Sequence, residues 1–275
     1  MYKIFDVHTH TYPEKIAAKA VKNLGEFYDF VPEGDGTYDG LSANAENNGV
    51  RGFLLFSVAT NAHQVTKVND CIASLAEKSR RQGFQTVGFA GMHQDYPDFE
   101  GEIDRCIKLG LKGVKIHPDI QGVDIDDKRM YSLYAVMQER GLPVFFHMGD
   151  NRAQYRFSEA KKLCRVLDDF PRLEVVAAHL GGYMAWDDAL EYLVGRDRIW
   201  YDTSSALWAM TPERAGEIIH SLGVDRVMFG TDFPVKKLEG ELERFLKIPL
   251  DEKERHDILY NNAARFLHLD ALELQ

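Results

Sequence analysis

At 275 residues, 45% hydrophobic and 28% charged, the chain is sized for one large α/β domain or two small ones and can bury a sizeable core. Its 43 acidic against 33 basic side chains give a net charge of -10, which argues against a nucleic-acid-binding surface or a polybasic membrane patch. The 3 cysteines fit a reducing compartment, no stretch approaches the roughly 20 apolar residues of a membrane span, and no signal peptide precedes the first strand pattern, so the expected location is cytoplasmic.

In chain order, the first apolar run is KIFDVH from Lys3, and it leads into DVHTH, Asp6 to His10. In an extended segment His8 and His10 point the same way, because strand side chains alternate with a period of two. Seven further runs follow: RGFLLFSVA from Arg51, QTVGFAGMH from Gln85, KGVKIHP from Lys112, LPVFFH from Leu142, LEVVAAH from Leu173, IWYDTS from Ile199 and DRVMFGTDF from Asp225. After the first, their starts fall about 25 to 35 residues apart, the length of a βα unit. Several are apolar on both faces, as parallel strands covered by helices must be. Helical periodicity predicts helices over 62–81, 126–140, 158–169 and 212–222, with a closing helix over 251–268. Thr211-Pro212-Glu213 supplies an N-cap, a first-turn proline and an acid at the positive end. Cys71, Cys106 and Cys164 all fall in helical stretches and none has CxxC spacing. The segment 11–48 is longer than an ordinary βα connection, and its Tyr12, Phe27 and Tyr28 suit a lid over a pocket. With no linker or composition break, residues 1–275 read as a single domain.

Eight strands alternating with helices fit either a closed barrel or an open sheet. His8, His10, His93, His117, His147, His179, Asp202 and Asp232 each fall at or near the carboxyl end of a predicted strand. A closed (β/α)8 TIM barrel brings all those ends to one mouth, where barrel enzymes keep their active sites, so the barrel is the expected fold. His8 and His10 from strand one, His147 from strand five and Asp232 from strand eight make a candidate ligand set for a divalent metal with a position open for water.

DVHTH, His147, AHLGG (Ala178 to Gly182) and GTDFP (Gly230 to Pro234), with GVKIHP and the closing NNAARFL, resemble the amidohydrolase superfamily. More narrowly they resemble its amidohydrolase-2 branch, which includes aminocarboxymuconate-semialdehyde decarboxylase, aromatic-acid decarboxylases and pyrone-dicarboxylate lactonase. The resemblance covers essentially the whole chain. It implies ligation by His8, His10, His147 and Asp232, with His179 beside the metal-bound water as an acid/base group. Asp232, if it only grazes the metal, can itself take the water's proton. One divalent metal is implied, zinc first, with manganese, iron or cobalt as alternatives. A second metal, bridged by a carboxylated Lys115, is the less favoured arrangement, and a metal-free site has the lactonase relatives as its precedent. Lys115 and His117 share a strand face, and the simpler reading has Lys115 neutralising Asp232 or anchoring an anionic substrate. Analogy also suggests a homodimer.

The loop after His147 carries Arg152, Tyr155 and Arg156, where a guanidinium could hold a substrate carboxylate; the alternative is a surface arginine paired with an acid. The expected activity is hydrolysis of a small-molecule amide, lactone or ester by a metal-activated water, with His179 and Asp232 handling protons. The alternative is metal-dependent, non-oxidative decarboxylation of an unsaturated or aromatic acid. It ranks second because those decarboxylases carry a larger insertion after strand one than 275 residues leave room for. A metal-binding scaffold without catalysis ranks last.

Overall fold

Short runs that are apolar on both faces become eight parallel strands. In the computed structural model, which describes residues 2–46 and 48–269, these are β1 (Ile4–His10), β2 (Val50–Phe56), β3 (Gln85–Gly88, resumed at Ala90–Gly91), β4 (Val114–Ile116), β5 (Val144–Phe146), β6 (Val175–Ala177), β7 (Ile199–Asp202) and β8 (Val227–Met228). Each pairs in parallel with its neighbour in sequence. At Phe89 the third strand changes partners. Its N–H donates to Leu55 O at 2.9 Å, and the next N–H, from Ala90, donates to Gly113 O at 2.8 Å. The ring closes between β8 and β1, where Val7 N–H donates to Phe229 O at 3.0 Å and Asp232 N–H to His8 O at 2.9 Å. The fold is the (β/α)8 TIM barrel that the strand-end residues called for.

Every strand is followed by a helix. The predicted helix at 62–81 starts as a 3-10 turn, Ala62–Gln64, and continues as Val65–Arg81. The one at 126–140 likewise opens with a turn, Lys128–Met130, before Tyr131–Arg140. Pro212–Leu222 forms as predicted, with the Thr211 hydroxyl accepting from Arg214 N–H. The closing segment is Glu252–His256, a π turn at Asp257–Asn261, and Asn262–Leu267. Segment 11–48 holds two helices, α1 (Glu14–Tyr28) and α2 (Tyr38–Glu46). Of its own residues α1 buries only Ala17 and Gly25, so its inward face is left for whatever lies beneath it.

The barrel interior is filled by Phe5, Val7, Leu54, Phe56, Phe89, Phe145 and Val176, and Ala263 and Phe266 of the last helix close its lower end. Each such buried side chain stabilises the fold by roughly 1.5–3 kcal/mol. This aromatic plug is also the floor of the mouth: the His8 ring stands edge-on to Phe56 and to Phe145, each with centroids 5.1 Å apart. Cys71, Cys106 and Cys164 lie in helices and are free thiols. Among the described residues no helix is long and apolar enough to cross a membrane.

Candidate active site

His8 Nε2, His10 Nε2 and Asp232 Oδ1 converge at the mouth. The two imidazole nitrogens are 3.2 Å apart, and the carboxylate oxygen lies 3.2 Å from one and 3.4 Å from the other. Ligand atoms about 2.0–2.1 Å from a tetrahedral ion stand roughly 3.3 Å from one another, so the three side chains fit a divalent metal without rearrangement. Burial pushes the pKa of both imidazoles below the usual histidine value, leaving neutral rings with lone pairs to donate. Burial raises the pKa of Asp232, but the neighbouring His8 and His10 imidazoles outweigh it and hold the carboxyl well below the usual carboxylate range.

Neighbours fix these side chains. Asp202, at the end of β7, takes the His8 Nδ1 proton with Oδ2 at 3.0 Å, which turns the Nε2 lone pair toward His10 and Asp232. Ser205 donates to Asp232 Oδ2 at 2.6 Å. Asp6 accepts from His8 N–H at 3.1 Å and from the Thr231 hydroxyl at 2.6 Å, joining β1 to the loop that carries Asp232. A Cβ on Gly230 would meet His8 Cβ at 2.9 Å, so glycine is what lets that loop approach β1. His179, Ser205 and Asp232 all have left-handed backbone, with φ of 60, 50 and 64°. Such conformations cost on the order of 1 kcal/mol each and collect at functional sites.

The other expected residues divide. His179 Nδ1–H donates to Ser204 O at 2.9 Å, so its Nε2 accepts from His147 Nδ1–H, also at 2.9 Å. His147 Nε2 then accepts from the Tyr28 hydroxyl at 3.2 Å, and Tyr28 accepts from His117 Nε2–H at 2.9 Å. The chain ends at His117 Nδ1, which takes the Ile120 N–H at 3.3 Å. His147, expected among the ligands, therefore stands one imidazole away from the His8–His10–Asp232 group and turns Nδ1 to His179. Together with His117 and Asp119 it forms another cluster of ligand-type atoms. That cluster already has protein partners: Tyr28 on the imidazoles, and Ser158 and Phe157 N–H on Asp119. Lys115 is fully buried against the rings of Phe56 and Phe145, with Nζ 3.3 Å from His8 Nε2, and burial brings its pKa down to about 7.

Arg152, Tyr155 and Arg156 do not reach the cavity, which corrects their expected role in holding substrate. Arg152 grips Asp150 bidentately, at 2.9 Å from Nε and 2.7 Å from Nη2, donates to Phe27 O, and lies 4.1 Å from the Tyr155 ring centroid. Tyr155 in turn packs on Phe27, with centroids 4.8 Å apart, so the pair clamps the end of α1. Arg156 is the surface alternative, paired with Glu159 at 2.7 Å. Sequence reasoning missed Asp6, Ser205 and the bridging hydroxyl of Tyr28. For Asp6 and Ser205 the available signal was their position beside His8 and at the end of β7.

A cavity of about 780 Å³ opens above the metal-ready group. Its walls include Phe27 and Tyr28 of α1 together with Tyr183 and Trp208. Fold and site together define a TIM-barrel protein with a histidine–carboxylate cluster able to hold a divalent metal. The chain belongs to the amidohydrolase family, whose profile, Amidohydro_2, matches residues 5–269.

The chain is similar to the 2-amino-3-carboxymuconate-6-semialdehyde decarboxylases of Caenorhabditis elegans (21% identical over 233 residues, 62% of this chain) and Dictyostelium discoideum (22% over 245 residues, 74% of this chain). Those alignments span only 58% and 66% of the relatives' own lengths. It is also similar to decarboxylase orsB of Emericella nidulans, 26% identical over 252 residues, 71% of this chain and 72% of the relative. Among solved structures, 2,6-dihydroxybenzoate decarboxylase with bound 2,6-dihydroxybenzoate superposes with a TM-score of 0.74 at 17% identity, over 98% of this chain and 100% of that one. A dihydroxybenzoic acid decarboxylase from Polaromonas with bound manganese and 2-nitroresorcinol gives 0.73 at 16%, over 98% of each chain. These findings overturn the expectation of a hydrolase, because the relatives in sequence are decarboxylases. Chain length does not separate the two activities either, because 2,6-dihydroxybenzoate decarboxylase is matched over 98% of this chain and 100% of its own.

Proposed function

We propose that the protein is a metal-dependent, non-oxidative decarboxylase of an aromatic or unsaturated carboxylic acid. One observation carries the reading: a buried His8–His10–Asp232 cluster forms the floor of an aromatic-walled cavity in a chain whose sequence relatives are decarboxylases. His8, His10 and Asp232 hold one divalent cation in this reading, with His147 next to them. Zinc suits the donor set, and the manganese in a solved neighbour makes that ion an equal candidate. When bound, the cation supplies a Lewis acid for the substrate's carboxylate or an adjacent hydroxyl.

The protein's own groups do the rest. Phe27, Tyr28, Tyr183 and Trp208 take the flat face of the substrate and keep water from it. The bond to the carboxyl carbon breaks, its electron pair stays on the ring or vinyl carbon, and that carbon takes a proton. We assign delivery of the proton to His179, which lines the cavity: its Nε2, an acceptor in the resting chain of hydrogen bonds, first takes a proton through His147 Nδ1 at 2.9 Å and then passes it to the carbon. Asp232 is kept ionised by its imidazole neighbours and serves as ligand. Lys115, beside His8 under the floor, offsets negative charge there. Residues 1–275 act as one unit in which 11–48 is the lid.

The reading is tested by incubating metal-loaded protein with a panel of hydroxybenzoic and unsaturated acids in deuterium oxide. Carbon dioxide and a product carrying one deuterium at the vacated carbon are expected. Ester or lactone cleavage, with no carbon dioxide from any acid, would overturn it.

A further inference from the structure

The cavity is larger and longer than a single-ring acid needs. Such an acid has about eleven non-hydrogen atoms; even at the roughly 30 Å³ a water molecule occupies in the liquid, it would fill less than half of the 780 Å³. The remaining space has a direction. On α1, lining residues recur at Ile16, Ala20, Leu24 and Phe27, which is one helical face. Opposite, Lys67, Val68, Cys71 and Ile72 line it from one face of Val65–Arg81. From Ile16 to Phe27 the helix rises on the order of 16 Å, about twice the length of a ring bearing one carboxyl group. Phe27 and Tyr28 mark the inner end of this limb, next to His117 and His147, and Ile16 marks its outer end in solvent. The limb exists because α1 buries so few of its own residues. Ile16 is 51% exposed although it faces a cavity, which leaves apolar surface for a ligand to cover.

We infer that the limb between α1 and Val65–Arg81 is a subsite for an apolar extension of the substrate, so that the protein takes an acid whose ring or alkene carries an alkyl or aryl chain. The inference rests on the decarboxylase reading only in seating the acid group on the His8–His10–Asp232 floor. The chain runs past Leu24, Ala20, Val68 and Ile72 and emerges between the exposed Lys19 and Lys67.

The test compares salicylic acid with its pentyl and octyl homologues on metal-loaded protein, reading dissociation constants by calorimetry and carbon dioxide release in parallel. Each methylene buried in the limb tightens binding by up to about fourfold, so the pentyl homologue is expected to bind at least about tenfold more tightly than the unsubstituted acid. In Ala20→Trp and, independently, Val68→Trp, a bulky ring fills the limb and the ratio of the two constants falls toward one. Equal affinity across the series, or a chain-length gain that survives both substitutions, overturns the inference. A chain-length gain without carbon dioxide from any member supports the subsite and counts against the decarboxylase reading instead.

Discussion

Asp202→Asn tests how the protein prepares His8 for a metal. Asp202 Oδ2 accepts the His8 Nδ1 proton at 3.0 Å, while Oδ1 accepts from Ser204 N–H at 2.8 Å and from the Ser204 hydroxyl. Asparagine can satisfy both Ser204 donors with its carbonyl oxygen, but its NH2 group then faces His8 Nδ1. Two donors cannot share that contact, which leaves only the Ser204 hydroxyl oxygen, 2.8 Å away, to hold the proton on Nδ1, and the tautomer shifts toward Nε2, the nitrogen that lies 3.2 Å from both His10 and Asp232. Losing such an outer partner typically weakens metal binding by 10–100-fold, about 1.4–2.7 kcal/mol. Chelator competition on folded protein, with circular dichroism as the control for folding, measures the affinity directly. The reasoning is refuted if Asp202→Asn binds metal within about twofold of the unaltered protein.

Other outcomes follow from the same geometry. His8→Ala and Asp232→Ala are expected to abolish stoichiometric metal by elemental analysis, and His147→Ala to lower it less; His179→Ala keeps the metal but releases no carbon dioxide, and metal loss in that variant would move His179 into the ligand set. Tyr28→Phe leaves His117 Nε2–H and the His147 Nε2 lone pair without the bridging hydroxyl, at a cost of about 1–3 kcal/mol. Amides of α1 should then exchange at least about fivefold faster, and unchanged protection over 14–28 would show that Tyr28 is no latch. Glu241 is buried with Oε2 unpartnered, and burial raises its pKa from 4.5 to about 7 despite Arg244. The folded state therefore holds this proton more tightly than the unfolded one, and the associated stability, at most about 3 kcal/mol, is present below pH 4.5 and lost as pH rises through about 7. Glu241→Gln should raise stability at pH 8 relative to pH 5, and a difference that does not change with pH contradicts this assignment.

Much of the site was legible because a strand has a period of two and a barrel gathers strand ends. Those two rules alone carry His8, His10 and Asp232 to one point from opposite ends of the chain. They do not say which nitrogen of an imidazole faces inward, and the turn of His147 Nδ1 to His179 is visible only in the structure. Asp202 was visible only as one more acid at a strand end, since its value lies in a contact with a residue 194 positions away. Arg152 looked available for a substrate because sequence does not show that Asp150, two residues earlier, and the carbonyl of Phe27 already occupy its donors. The cavity limb was invisible for the same reason: it is the space between α1 and Val65–Arg81, a property of packing. Chain length did not separate hydrolysis from decarboxylation, because a decarboxylase structure is matched over 98% of this chain and 100% of its own.

The most direct test of the account is to strip the protein with chelator, restore manganese or zinc in steps, and record carbon dioxide release from an aromatic acid against metal bound per chain. The account predicts no release without metal, and a rise that levels off at one equivalent. Full carbon dioxide release from the stripped protein, or a plateau reached only at two equivalents, would contradict it.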